Sequence, residues 1–169
     1  EDYVVDGCYV YQGYDAGLTH QITTCGRKYE IRDVHYENNL IEDCVYAIEY
    51  FLDMTEGDTE SYMKGVYMTK NILRRSGYGW GQQRHNVDTP ALIKGWSYTN
   101  AASEFYISEN IFDRSAYRML HLVAKDASSC PVMEKNTYAQ TEGGMLGQYG
   151  ANSVSEPPIL PFDESNIKQ

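Results

Sequence analysis

Asn39-Leu-Ile-Glu-Asp-Cys-Val-Tyr46 is the stretch that decides how this chain folds, because the chain repeats it. Near-copies are Asn71-Ile-Leu-Arg-Arg-Ser-Gly-Tyr78 and Asn110-Ile-Phe-Asp-Arg-Ser-Ala-Tyr117. Gly7-Cys-Tyr-Val-Tyr-Gln-Gly-Tyr14 precedes them, and a weaker Asn136-Thr-Tyr-Ala-Gln-Thr-Glu-Gly143 follows. Their first residues lie 32, 32, 39 and 26 positions apart. Self-similarity at a period of about 20–50 residues is the mark of a stacked repeat architecture.

Short apolar-alternating runs flank each copy. Upstream, Val34-His-Tyr36, Val66-Tyr-Met68 and Phe105-Tyr-Ile107 stand at one offset before the Asn. Downstream, Ala16–Ile22, Ile48–Leu52, Trp80–Arg84 and Met119–Val123 read as a second strand. These runs are β-rich, of period two and bounded by polar turn residues, and no convincing amphipathic helix separates them. An Asn at the same point of successive coils can satisfy its buried amide by laddering onto its neighbours. Tyr14, Tyr46, Tyr78 and Tyr117 are expected to stack in the same way. Glu42, Arg74 and Asp113 share one offset and Asp43, Arg75 and Arg114 the next, as suits a solvated cross-strand row. Exposed pairs of this kind contribute only about 0–1 kcal/mol each, so they support register more than stability.

The pattern apolar–x–apolar–x–x–Asn–x–apolar, followed by a small residue and a second strand, resembles right-handed parallel β-helix repeats. The wider group it is similar to is the pectate-lyase-like superfamily of carbohydrate-active proteins. The resemblance covers about residues 1–146. It implies an all-β, right-handed parallel β-helix of four to five coils with long loop insertions. It also implies a secreted bacterial protein meeting a polysaccharide or oligosaccharide, although the same architecture serves adhesive and structural proteins. Residues 1–150 are read as coils and 151–169 as a tail over the last one, since Pro157-Pro158-Ile-Leu-Pro161 cannot continue a sheet interior. Asp53–Lys64 and His85–Ser103 are the main expected insertions, with Cys25–Arg32 and Lys125–Cys130 shorter. The chain opens at Glu1 straight into a strand-like copy with no capping helix. Upstream coils of the same protein, or another chain, are therefore expected at that edge.

Composition narrows the classes of partner. With 169 residues the chain can bury a real core, and a net charge of -10 argues against nucleic acid, whose binders carry clustered basic faces. No stretch reaches the length of a membrane span. Cys8, Cys25, Cys44 and Cys130 form no CxxC pair and no Cys/His ligand spacing. Cys44 aligns with Gln12, Ser76, Ser115 and Thr141, and Cys8 with Leu40, Ile72 and Ile111, so both read as packed thiols. No cofactor is expected. The acidic loop Asp53–Glu60 offers the oxygen ligands calcium takes, without the spacing of a calcium loop.

Polar residues interrupt the second strand, and they are the candidate site. One offset reads Leu18, Tyr50, Gln82, His121, and two residues on it reads His20, Leu52, Arg84, Val123. His20, Gln82, Arg84 and His121 are thus expected on one side of the stack, near Glu49, Trp80 and His85. Aromatic rings stack on apolar sugar faces, Arg pairs with a uronate carboxylate, and His or Glu transfers a proton. Catalytic candidates are His20, Glu49, Arg84 and His121, and substrate-binding candidates are Asp15, Trp80, Gln82, His85, Trp96 and Arg118. A glycosidase would need paired carboxyls, which Glu49 and Asp15 can supply. A lyase would need a base and a cation, which His20 or His121 with Arg84 or Arg118 can supply. Each residue also has a structural reading: a strand histidine is often simply hydrogen-bonded, the arginines solvated, and Trp80 a core residue. Trp96, inside the long insertion, is the better candidate for an exposed ring. No family catalytic motif is present to transfer.

Overall fold

The structure, a computed structural model, describes residues 2–23, 28–53, 60–79, 90–98, 102–124, 129–141, 145–150 and 167–168. The chain winds through five coils of three strands each, and the coils stack into three parallel sheets. The first sheet holds β1 (Tyr3–Asp6), β4 (Glu30–Glu37), β7 (Tyr62–Thr69), β10 (Ala102–Ser108) and β13 (Val132–Glu134). The second holds β2 (Tyr9–Tyr11), β5 (Leu40–Glu42), β8 (Ile72–Ser76), β11 (Ile111–Ser115) and β14 (Thr137–Ala139). The third holds β3 (Ala16–Thr23), β6 (Tyr46–Asp53), β9 (Ala91–Tyr98), β12 (Arg118–Val123) and β15 (Met145–Gly150). A last short strand, β16 (Ile167–Lys168), pairs in parallel with β14. This is an all-β parallel β-helix. The tail residues 151–166 lie outside the described residues.

The Asn ladder runs along the corner between the first two sheets. Asn71 Nδ2 donates to the Tyr36 carbonyl at 2.7 Å and to Asn110 Oδ1 at 3.0 Å. Its own Oδ1 accepts from Asn39 N and Asn39 Nδ2, both at 3.0 Å. Asn110 and Asn136 repeat the arrangement one coil on. All four amides are buried, so the ladder is what makes a polar side chain tolerable there. The corner needs a left-handed residue just before each ladder position. Gly7, Asn38, Lys70, Glu109 and Lys135 fill it, with φ between 54 and 64°. A second left-handed position recurs at the end of the second sheet, at Gln12 and Asp43 just after β2 and β5 and at Arg75 and Arg114 one residue before the ends of β8 and β11.

The interior is filled by rows that run along the stack. Val5, Tyr36, Met68, Ile107 and Met133 share one register, and all but the half-buried Val5 are closed to solvent. Ile41, Leu73, Phe112 and Tyr138 form the facing row, with the last two rings stacked at 5.3 Å. Tyr50 spans two coils: its hydroxyl donates to the Val123 carbonyl at 3.1 Å and accepts from the Val123 amide at 3.0 Å. Gly95 makes room for that crossing, since a Cβ there would stand 2.7 Å from the Tyr50 hydroxyl.

Three expectations change at this level. In the first coil Cys8, not Gly7, occupies the ladder slot, because Tyr9 pairs with Leu40 and Cys8 N donates to Asn39 Oδ1. That coil holds one more residue between Gly13 and Ala16 than the second holds between Cys44 and Tyr46, and the Tyr14–Tyr46 match pulled the whole phrase out of register. Cys8 is therefore exposed while Cys44 is buried against Gly13. The expected Tyr stack does not form: Tyr46 is in register with Ala16 and Ala91, and Tyr14, Tyr78 and Tyr117 are exposed. Finally, the third coil's place in the third sheet is taken by Ala91–Tyr98, which pairs with β6 and β12; Trp80–Arg84, expected there, lies outside the described residues.

The charged row is in the expected register, Glu42 beside Arg74 and Arg74 beside Asp113. Glu42 is more buried than a solvated face requires, at 5% exposure. The Tyr9 hydroxyl, then Arg74 and Arg75, hold its carboxyl below the usual carboxylate range.

Candidate functional site

Side chains alternate across a strand, so one set from the third sheet faces outward. Thr19, Glu49, Lys94, His121 and Gln148 are in one register across the five coils. The underlying signal is a three-residue phrase, two apolar residues and then an ionisable one. It reads Ala47-Ile-Glu49, Leu92-Ile-Lys94 and Met119-Leu-His121. The middle residue of each phrase, Ile48, Ile93 or Leu120, enters the core, which turns the ionisable residue after it to the other face.

Thr19, Glu49, Lys94 and His121 of this row are linked, directly or through Trp96. Lys94 Nζ stands 2.7 Å from His121 Nδ1 and 4.2 Å from the centre of the Trp96 ring. Trp96 Nε1 donates to Glu49 Oε2 at 3.0 Å, and Gln21 Nε2 donates to Glu49 Oε1 at 2.6 Å. The Thr19 hydroxyl adds a longer bond of 3.4 Å to the same oxygen. Tyr46 meets the Trp96 ring edge-on at 5.6 Å, and Arg118 lies 4.8 Å over the Tyr117 ring. Lys94 is 2% exposed, Arg118 7% and Glu49 8%; His121 and Trp96 are half-buried.

Electrostatics fix the protonation of the histidine. Burial first, then the charges of Lys94 and Arg118, push His121 down to about 3. The ring is neutral near pH 7. With Lys94 donating to Nδ1, the hydrogen-bond pattern assigns the ring hydrogen to Nε2. The cluster thus combines a buried cation, a neutral imidazole with an N–H, a carboxylate holding several donors and an indole.

The structure brings Glu49, His121 and Trp96 together here. Asp15 stands apart, exposed at the corner before β3, where its carbonyl accepts from Val45 and Tyr46. His20 is in register with Tyr50 and points inward, the reverse of the expected common row with His121. Its ring stacks on Tyr50 at 5.8 Å, its Nδ1 is 3.3 Å from the Tyr36 hydroxyl, and burial pushes it down to about 3. Trp80, Gln82, Arg84 and His85 lie outside the described residues. Lys94 is absent from the sequence candidates because it falls in the His85–Ser103 stretch expected to be an insertion; the repeated apolar–apolar–ionisable phrase is the signal that finds it.

Among the described residues no group of three or more His, Cys, Asp or Glu is placed to hold a metal ion. No helix among the described residues is long and apolar enough to cross a membrane. No family model, no curated protein and no solved structure matches the chain.

Proposed function

We propose that this chain is part of a carbohydrate-active β-helix protein of the pectate-lyase-like kind, acting as a lyase on a uronate polysaccharide at the outer face of its third sheet. The observation that carries the reading is the Lys94–His121 contact beside Trp96 and Glu49. A uronate carboxylate meets Lys94, Arg118 and the His121 Nε2–H, donors that also stabilise the charge formed when the α-proton leaves. Glu49 takes that proton. The C–H pair becomes the new C=C bond, the glycosidic C–O bond breaks, and the leaving oxygen takes up a proton. A hydrolase is less well supported, since Glu49 is the one carboxylate in this cluster among the described residues and Asp15 lies four residues back from Thr19, about 13 Å along the strand.

The second reading is saccharide binding without turnover. It is favoured by the three donors that already engage Glu49. Incubation with galacturonate, guluronate and glucuronate polymers, read by the absorbance of unsaturated uronides, separates the two. Unsaturated product that disappears in Glu49→Gln supports the lyase. Binding lost in Trp96→Ala but without any product supports the binding module. No product and no binding with any polymer overturns both.

A further inference from the structure

The outer face of the second sheet carries an apolar row that neither the core nor the uronate site uses. Tyr9, Leu40, Ile72 and Ile111 share one register there. Tyr9, Ile72 and Ile111 are 38 to 56% exposed. The face is lateral to the stack and is not one of its ends. A continuous exposed apolar row rimmed by charges marks a protein contact.

The rim selects the partner. Beside the apolar row stand Tyr11, Glu42, Arg74 and Asp113 in one register, and beyond them the left-handed residues Gln12, Asp43, Arg75 and Arg114. Within the chain Arg74 and Arg75 bind Glu42, Arg75 also binds Asp43 at 2.9 Å, and Arg114 binds Asp113 at 2.7 Å. Three cations against three carboxylates leave no net attraction for an ion. The signs are instead ordered along the stack, negative at Glu42 and Asp43 in the second coil and positive at Arg74 and Arg75 in the third. That order fits its own image once reversed.

A two-fold axis parallel to the strands, between β5 and β8, reverses the stack and keeps each row over itself. Leu40 then meets Ile72 of a second copy, Tyr9 meets Ile111, Glu42 meets Arg74 and Asp43 meets Arg75. Tyr11 meets Asp113, and Gln12 meets Arg114. Each ion pair within a chain becomes half of a square of four alternating charges, and such networks hold better than isolated pairs. Centred on β5 or β8, the axis sets like residues against each other; between β8 and β11 it sets Arg75 against Arg114.

We infer that this face is an isologous contact between two copies of the chain, stacked antiparallel about the Leu40–Ile72 pairs. Four coils of about 4.8 Å by some five residues of about 3.3 Å give on the order of 300 Å² per copy. A standard interface buries roughly 800 Å² per partner, so the dimer is weak, with half-association on the order of 0.1–1 mM. The outer face of the third sheet stays uncovered, so this inference and the uronate reading stand or fall separately.

Sedimentation equilibrium from about 10 μM to 1 mM, spanning that range, tests it. The average mass is expected to rise from one chain towards two, with association at least tenfold weaker in Ile72→Asp. Ile72 faces solvent, so that variant keeps its fold, which an unchanged His121 NMR signal verifies. Arg75→Asp and Asp43→Arg each give a face whose charges repel their own image, and each is expected to be monomeric alone. Mixed in equal amounts they associate, because every altered charge then meets its opposite on the other chain. A wild-type mass that stays at one chain, equal association in Ile72→Asp, or a mixture no more associated than its components overturns the inference.

Discussion

A lysine nitrogen 2.7 Å from an imidazole nitrogen leaves room for one proton between them, and its charge makes protonating the ring unfavourable. Lys94→Met is therefore expected to raise the His121 pKa from about 3 towards its ordinary value, as a side-chain NMR titration would register. An unchanged titration would mean that burial and Arg118 set it without Lys94. The sign of the pH effect on stability follows from the lowered values of both histidines. His20 and His121 have folded values near 3 against 6.5 for the free group, so between those limits the unfolded chain binds more protons. Their contribution is complete above about pH 6.5 and is lost as pH falls towards 3, at about 1.4 kcal/mol per pH unit for a fully neutral histidine. The half-exposed His121 contributes less than His20, because solvent screens it. Denaturant unfolding at pH 7, 5 and 4 should show midpoints falling in that order, and His20→Phe should flatten the trend.

Within an element, the ladder and the Tyr50 crossing concentrate the sensitivity to mutation. Asn71→Ala strands the Tyr36 carbonyl and the Asn39 amide, both buried, and is expected to cost about 3 kcal/mol. Ile72→Ala, next in sequence but facing solvent, should cost under about 1 kcal/mol. Equal losses in a denaturant comparison would refute the ladder's role. Tyr50→Phe removes both bonds to Val123, and hydrogen exchange at the Val123 amide should rise by roughly tenfold or more. The strands before each Asn, the ladder itself and the alternating charges were all legible in the sequence, because a period-two pattern and a repeated polar residue report local geometry directly. The first coil's register was not, since a one-residue difference at a corner leaves every apolar match plausible. Nor was the third coil's last strand: Trp80–Arg84 alternates acceptably by itself, and only pairing with the neighbouring coils selects Ala91–Tyr98. His20 was misplaced for the same reason. A strand's period says that two faces exist and leaves open which of them is the core.

At the scale of the molecule, each coil bonds to its neighbours on two sides except at the ends of the stack. Stability in such arrays is roughly a sum of coil and interface contributions. Amides of β5, β8 and β11 are expected to show the greatest hydrogen-exchange protection, with β2 exchanging fastest among the second-sheet strands. Uniform protection along that sheet would contradict a coil-by-coil account. The ladder also has a direction. Each Asn sends its Nδ2 to a carbonyl of the preceding coil and offers its Oδ1 to that coil's amide, whereas Cys8 brings only a backbone amide. A duplicate of residues 39–70 spliced in after Lys70 would find a donor and an acceptor waiting on both sides, and the protein would lengthen by one step of about 4.8 Å. The same segment placed ahead of Cys8 would meet a thiol where an amide is needed. The buried asparagines thus make the chain a unit that can be copied in its middle and resists copying at that edge.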